Sequence, residues 1–157
     1  MRIKIFLFSI AMIFATCLSS KLIAQTLTVC SLQNVPEGWV TIEETKCDCC
    51  GEAVGTRWTI KKIDKLPVLS QVMICSSSTM PTGWVVIDKT HCDCCGFLKS
   101  RYTIKKIDGM PSGSSVMTCE ASYLPSGWVI VDVAKCNCCG ASDQNSESTY
   151  KYTIKKL

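Results

Sequence analysis

Short blocks of hydrophobic residues, separated by polar stretches, recur along the chain and predict β-strands. The first block leads into a cysteine, as in Val72–Cys75, and the second begins with a tryptophan, as in Trp84–Asp88. The third places an aromatic residue before Thr-Ile-Lys-Lys, as in Tyr102–Ile107. These blocks are rich in β-branched and aromatic residues, which favour strands, and no helix is indicated. We therefore predict an all-β fold with three short strands per unit.

The same three blocks occur three times, and the cysteines that end the first block are Cys30, Cys75 and Cys119, 45 and 44 residues apart. A recurring pattern of this length decides the architecture before any single motif does. The sequence predicts a tandem array of three small three-stranded antiparallel β modules, stapled by cysteines, at residues 25–66, 67–110 and 111–157. The sequence Pro-x-Gly precedes the tryptophan that begins each second strand. It predicts a turn, because proline presets the first corner of a turn and glycine tolerates positive φ.

Residues 1–24 have the layout of a secretory signal peptide. Arg2 and Lys4 form a basic head, residues 5–18 are almost continuously apolar, and a more polar tail follows. The apolar run is shorter than the ~20 residues that a transmembrane helix needs. We therefore predict an exported protein in the periplasm, at the cell surface or outside the cell, with no transmembrane segment in the mature chain. The alternative is a lipoprotein anchored through Cys17.

The net charge of the chain comes largely from this first segment. The whole sequence has 17 basic and 13 acidic residues, a net charge of +4. Removing Arg2, Lys4 and Lys21 leaves 14 basic and 13 acidic residues, a net charge of +1. A nucleic-acid-binding domain is normally clearly basic, so we do not expect nucleic acid as a partner.

The cysteines follow one spacing, with a lone cysteine 17 residues before a Cys-x-Cys-Cys-Gly cluster. An even number of cysteines in an exported module indicates structural disulfides. A bond between the adjacent Cys49 and Cys50 would strain the backbone. Two pairings remain for the first module: Cys30–Cys49 with Cys47–Cys50, or Cys30–Cys50 with Cys47–Cys49. The predicted disulfide residues are Cys30, Cys47, Cys49, Cys50, Cys75, Cys92, Cys94, Cys95, Cys119, Cys136, Cys138 and Cys139.

Two other uses of the cysteines are weaker. Cys47-x-x-Cys50 has the spacing of half a zinc site, but no second such pair exists in the module, so a thiolate metal-binding protein is an alternative and no metal ligands are assigned. The same spacing suits a redox pair, with Lys46 in place to lower a thiol pKa, but the βαβ pattern of a thioredoxin-like site is missing. We find no nucleophile–base arrangement, and we predict no enzyme activity, no catalytic residue and no cofactor.

A tryptophan at the head of strand two and a lysine pair at the end of strand three also recur, and hairpin geometry brings them together. One interpretation places the tryptophan in the core and gives the lysines the task of protecting a sheet edge from aggregation. The other is a repeated surface for a glycan or an anionic surface polymer, with tryptophan as platform and lysine as charge. Its candidate residues are Trp39, Trp84, Trp128, Lys61, Lys105 and Lys155.

These observations favour a non-enzymatic repeat protein with a structural or multivalent binding role at or outside the cell envelope, because linked copies of a weak site raise avidity. The alternatives are the thiolate metal-binding protein and the thiol–disulfide redox protein. Because cysteines and strands recur between proline-containing linkers, we also expect residues 72–109 to fold alone when oxidised.

Overall fold

A computed structural model of the chain describes residues 25–31, 33–48, 50, 55–96, 98, 100–136, 138–140 and 149–157. The predicted signal peptide, Cys17 and Cys49 lie outside the described residues. The part that is described forms β-strands and no helix. The strands are β1 (Thr26–Cys30), β2 (Trp39–Cys47), β3 (Gly55–Lys62), β4 (Gln71–Cys75), β5 (Trp84–His91), β6 (Ser100–Lys106), β7 (Ser115–Thr118), β8 (Trp128–Cys136) and β9 (Thr149–Lys156).

The strands form three separate antiparallel sheets of three strands each, ordered β1-β3-β2, β4-β6-β5 and β7-β9-β8. We call them the first, second and third sheet. This confirms the predicted fold class. The strand with the Thr-Ile-Lys-Lys motif is the central strand of every sheet, paired on both sides. The interpretation that its lysines protect a sheet edge is therefore wrong, because a central strand has no free edge.

The second strand of each sheet is longer than its apolar run. β2 continues past Glu43, where the hydrophobic pattern ends, as far as Cys47. A bulge between Thr41 and Glu43 shifts the register, and the polar residues beyond it keep pairing with β3. The same shift occurs in the strands β5 and β8. Backbone hydrogen bonds hold these polar extensions, so side-chain hydrophobicity does not reveal them.

The Pro-x-Gly turns adopt the predicted conformation. Gly38, Gly83 and Gly127 have φ values of 78°, 79° and 80°. These lie in the left-handed region, where a residue without Cβ is favoured. The amide of Trp39 donates to the carbonyl of Pro36 across the turn at 3.1 Å, and the other two turns have the same bond. Each turn thus starts the second strand at its tryptophan.

The hydrophobic core lies between the sheets. Val40 and Ile63 of the first sheet's segment pack in one cluster with Val72, Ile74 and other apolar residues of the second sheet. A further cluster joins residues on either side of the next junction: Val85, Ile107, Val116, Trp128 and Ile154. A three-stranded sheet has no second layer of its own, so it must bury its apolar faces against a neighbour. Residues 72–109 thus share their core with both neighbours in the intact chain, and their folding alone when oxidised stays a prediction.

Hydrogen bonds and an ion pair also join neighbouring sheets. The amide of Glu44 donates to the carbonyl of Cys94 at 2.8 Å, and the amide of Cys119 donates to that of Val86 at 2.7 Å. Lys89 Nζ lies 3.0 Å from a carboxylate oxygen of Glu120. Burial raises the pKa of Glu120, but hydrogen bonds from Lys89 and Ser122 and the lysine charge outweigh it, so the pKa lies below its ordinary value. The junctions are thus specific polar contacts as well as apolar ones.

Candidate functional site

One disulfide in each sheet joins the first strand to the end of the cysteine cluster. The pairs are Cys30–Cys50, Cys75–Cys95 and Cys119–Cys139, with Cα–Cα distances of 5.6, 5.2 and 5.4 Å. We call these bonds the staples. The structure selects one of the two pairings that the spacing allowed, with the lone cysteine bonded to the last cysteine of the cluster. In the second sheet the staple is fully buried, since Cys75 and Cys95 are 0% and 1% exposed.

A second, shorter disulfide closes the cluster itself. Cys92 bonds Cys94, and Cys136 bonds Cys138, each across a single intervening residue. We call these the Cys-x-Cys bonds. In the first sheet Cys47 is also disulfide-bonded. Both of these Cys-x-Cys bonds lie against a staple, since 3.8 Å separates the sulfurs of Cys94 and Cys95, and the same distance separates those of Cys138 and Cys139. The Cys-x-Cys bonds are the more exposed of the two kinds.

The clustered sulfurs lie close enough together to bind a soft metal ion, but they could bind it only after reduction to thiolates. The Sγ atoms of Cys92, Cys94 and Cys95 all lie within 4.8 Å of one another. In this structure all three belong to disulfides, so reduction would have to precede any thiolate ligation. Arg101 Nη1 lies 3.9 Å from Cys94 Sγ, where it would stabilise a thiolate released there. The metal-binding and redox alternatives both depend on that reduction.

The predicted tryptophans differ in burial. Trp84 and Trp128 are 3% and 7% exposed and belong to the inter-sheet cores, whereas Trp39 is half-buried. The first two thus have the burial that the core interpretation predicts. An indole with its faces covered offers no open platform for a ring, so only Trp39 of the three combines an aromatic face with access from solvent.

The tryptophan at the head of each second strand lies opposite the second lysine of the pair, one residue beyond the lysine named as a candidate for binding. Trp39 pairs across the hairpin with Lys62, and its neighbour Val40 pairs with Lys61. The other two sheets repeat this register, which places Lys105 and Lys155 opposite valines and Lys106 and Lys156 opposite tryptophans. Lys62 Nζ lies 6.0 Å from the centre of the Trp39 ring. The hairpin therefore joins tryptophan and lysine as predicted, but through the second lysine.

The second lysine also ties one sheet to the segment before it, a role that the sequence reasoning missed. Lys106 Nζ donates to the carbonyls of Asp64 and Leu66 at 3.0 and 2.7 Å, and Lys156 Nζ donates to that of Met110 at 2.6 Å. These acceptors lie in or beside the linkers between sheets. The matching linkers Asp64–Pro67 and Asp108–Pro111 were the available signal, because a repeated linker beside a repeated lysine indicates a repeated contact.

A groove of about 990 Å³ lies where the first and second sheets meet. Trp39, the strand-three aromatic Trp58 and the edge of the buried Trp84 contribute to its lining. Two of the three Pro-x-Gly turns border it, through Pro36, Glu37 and Gly38 and through Pro81 and Thr82. The polar side chains of the lining include Gln33, Asn34, Glu37, Asp64, Ser77, Ser78, Thr79 and Asp108. Aromatic side chains among carboxylate, amide and hydroxyl groups suit a polar ligand that also has apolar faces.

Comparison with protein-family models, with curated proteins and with solved structures finds no match for this chain. Within the described residues, no helix has the length and apolar character needed to cross a membrane. The functional assignment therefore depends on the geometry of the groove, the disulfides and the sheet faces.

Proposed function

We propose that this is an exported, non-enzymatic protein that binds a glycan strand at or outside the cell envelope. The observation that carries the proposal is the groove between the first and second sheets. Trp39 and Trp58 are both half-buried there, so part of each indole faces the groove. The apolar face of a sugar ring packs on such an indole, while its hydroxyls bond to the surrounding side-chain oxygens and amides.

The charges of the groove favour a neutral or amino sugar over an anionic polymer. Glu37, Asp64 and Asp108 line the groove with three carboxylates. Lys106 is the lining's basic residue, and its Nζ already donates to two backbone carbonyls. A polyanion would meet net repulsion in the groove, whereas carboxylates accept hydrogen bonds from sugar hydroxyls or pair with an ammonium group.

The disulfides support the exported part of the proposal. Five disulfides join described cysteines, in a chain of 157 residues. Such bonds persist in oxidising compartments and are rare where glutathione and thioredoxin keep thiols reduced. Oxidised cysteines also fit a structural rather than a catalytic use of the clusters.

Binding of soluble oligosaccharides to the oxidised protein tests the proposal. Hexasaccharides of glucose, N-acetylglucosamine and glucosamine, with a polyuronate as the anionic comparison, are titrated while tryptophan fluorescence and heat are recorded. We expect a neutral or amino sugar to bind, and Trp39→Ala to weaken binding at least ~10-fold through the lost stacking contact. Tyr123→Ala is the matched control, because Tyr123 is a 59% exposed aromatic residue outside the groove lining.

Two results would contradict the proposal. One is preference for the polyuronate over every neutral and amino sugar, which would show that the groove's carboxylates do not govern recognition. The other is equal binding by Trp39→Ala and the wild type, with both folded by circular dichroism, which would place the ligand elsewhere. Absence of binding to all four probes would leave the groove without the glycan class that we assign to it and overturn the assignment.

A further inference from the structure

The junctions inside the chain reuse one set of positions. Val40 and Ile63 cover the second sheet, and the residues at the corresponding positions, Val85 and Ile107, cover the third. We call the side of a sheet segment that carries these residues its back surface, and the side that receives the preceding sheet its front surface. All four residues are at most 2% exposed. The same contact, a back surface packed on the front surface of the following sheet, therefore forms both junctions of the chain.

The back surface of the third sheet has the same apolar character but is exposed. Val129 is half-buried, whereas Val40 and Val85 at the corresponding positions are 0% and 2% exposed. Leu157, which corresponds to Ile63 and Ile107, is 74% exposed. Val131 and Val133 on the same strand are 53% and 51% exposed. The outer surface of the last repeat in a stack is normally polar. The apolar back surface of the third sheet instead resembles those of the first two sheets, which a following sheet covers.

The front surface of the first sheet is its exposed counterpart. Leu27 is 46% exposed, whereas the corresponding residues Val72 and Val116 are 5% and 8% exposed. Cys50 of the first staple is half-buried, whereas Cys95 at the corresponding position is buried under the neighbouring sheet. The positions that receive a preceding sheet in the second and third sheets are thus accessible in the first.

The backbone edges show the same pattern. Glu44 of β2 forms a parallel bridge with Cys95 of the second sheet, and Lys89 of β5 forms one with Cys139 of the third. Val133 of β8 occupies the position of Glu44 and Lys89, and among the described residues β8 has no such bridge. An edge strand without a partner is a template for pairing with another chain. The edge and the apolar residues beside it lie on one surface of the third sheet.

We propose that the back surface of the third sheet docks on the front surface of the first sheet of a second copy of this chain. The contact repeats the two internal junctions, with Val131 and Leu157 taking the places of Ile87 and Ile107. The two surfaces are different, so the association is head-to-tail and forms linear oligomers instead of closed symmetric dimers. The inference depends on the junction geometry and on no ligand. The contact would bury Trp39, which occupies the position of the buried Trp84 and Trp128, so it would compete with a ligand stacked on that indole.

Sedimentation of the exported, oxidised protein over a range of concentrations tests this inference. We expect the mass to rise with concentration through successive multiples of the monomer. Val131→Asp disables the back surface and Leu27→Asp the front surface, so each variant alone should lose association at least ~10-fold. A mixture of the two retains one intact surface of each kind and should form dimers that grow no further. Met73→Asp is the control, because Met73 is 52% exposed and outside both inter-sheet cores.

Three outcomes would overturn the inference. The first is a wild-type monomer at all concentrations up to about 100 μM. The second is a single variant that associates as strongly as the wild type, which would indicate a contact between two identical surfaces or elsewhere. The third is a mixture of the variants that stays monomeric. Circular dichroism and the urea midpoint of each variant show that it is folded, since all three substitutions are at exposed positions.

Discussion

Removing the staple of the second sheet should cost far more stability than removing its Cys-x-Cys bond. The two bonds lie side by side in the same sheet, but the staple Cys75–Cys95 spans 20 residues of sequence and Cys92–Cys94 spans 2. The double substitutions Cys75→Ala/Cys95→Ala and Cys92→Ala/Cys94→Ala each remove one bond without leaving a free thiol. Both variants lose two cysteines and one disulfide, so a difference in their stability does not come from the number of cysteines removed.

The expected magnitudes follow from loop length and burial. Closing a loop of about 20 residues in the unfolded chain contributes about 3 kcal/mol in the chain-entropy model, and a loop of two or three residues about 1.5 kcal/mol. The staple cysteines are 0% and 1% exposed, so removing each buried sulfur adds about 1 kcal/mol from lost packing. We expect losses of about 5 kcal/mol for the staple and about 1.5 kcal/mol for the Cys-x-Cys bond.

Urea unfolding followed by tryptophan fluorescence and far-ultraviolet circular dichroism measures the difference. With an m value of about 2 kcal/mol/M, the midpoint should fall by about 2.5 M without the staple and by about 0.7 M without the Cys-x-Cys bond. Trp84 is buried in the core that the second sheet shares with the first, and it reports the loss of packing there. Mass spectrometry after alkylation checks that the remaining disulfides are intact in both variants.

Equal midpoints for the two variants would refute the reasoning, because loop length would then not determine the contribution of each bond. A staple variant within about 0.5 kcal/mol of the wild type would refute it more strongly. That result would mean that the inter-sheet core alone stabilises the second sheet, with the buried staple adding nothing measurable.

Two further perturbations have built-in comparisons. Gly83→Ala places a Cβ 2.6 Å from the Cβ of Asp108 at a φ of +79°, whereas Gly127→Ala, at a φ of +80°, meets no atom within 4 Å. Gly83→Ala should therefore lower the free energy of unfolding by at least ~1 kcal/mol more than Gly127→Ala. Equal shifts of the melting temperature in the two variants would contradict this. Glu120→Gln should cost about 0.5–1 kcal/mol at neutral pH by removing the pair with Lys89. The pKa of Glu120 in the folded protein lies below its ordinary value of 4.5. The extra stability of the wild type over Glu120→Gln is therefore present above pH 4.5 and disappears as the pH falls through the folded pKa. Extra stability that persists in acid would exclude the ion pair as its source.

The strands and the three-sheet fold could be predicted because β-branched residues and turn residues alternate visibly along the chain. The stacking of the sheets also had a signal that the prediction did not use. Trp84, Val85, Val86 and Ile87 are apolar without interruption. A strand with one buried face alternates, whereas an unbroken apolar run indicates a strand covered on both faces. The second sheet is covered on both faces in this way.

Other features left no readable signal. The polar end of β2 from Glu43 onwards is held by backbone pairing, which no side chain reveals. The two cysteine pairings differ only in which of two adjacent residues reaches Cys30, a choice made by the geometry of the bend. The groove arises where two sheets meet, and Trp39 and Trp84 come together there from residues far apart in the sequence. A single module therefore does not contain the information that defines the site.

The staples also determine how the protein responds to a pulling force. Each staple removes a segment with a sequence separation of 20 from the path of tension between the chain ends. At about 3.4 Å per extended residue this is about 70 Å for each staple and about 200 Å for all three. The junctions between sheets are held by apolar packing, hydrogen bonds and an ion pair. Under load we expect the sheets to separate from one another at these non-covalent junctions while the looped segments stay short. The oxidised chain is thus a tether with a limited reach, and a reducing environment would lengthen it.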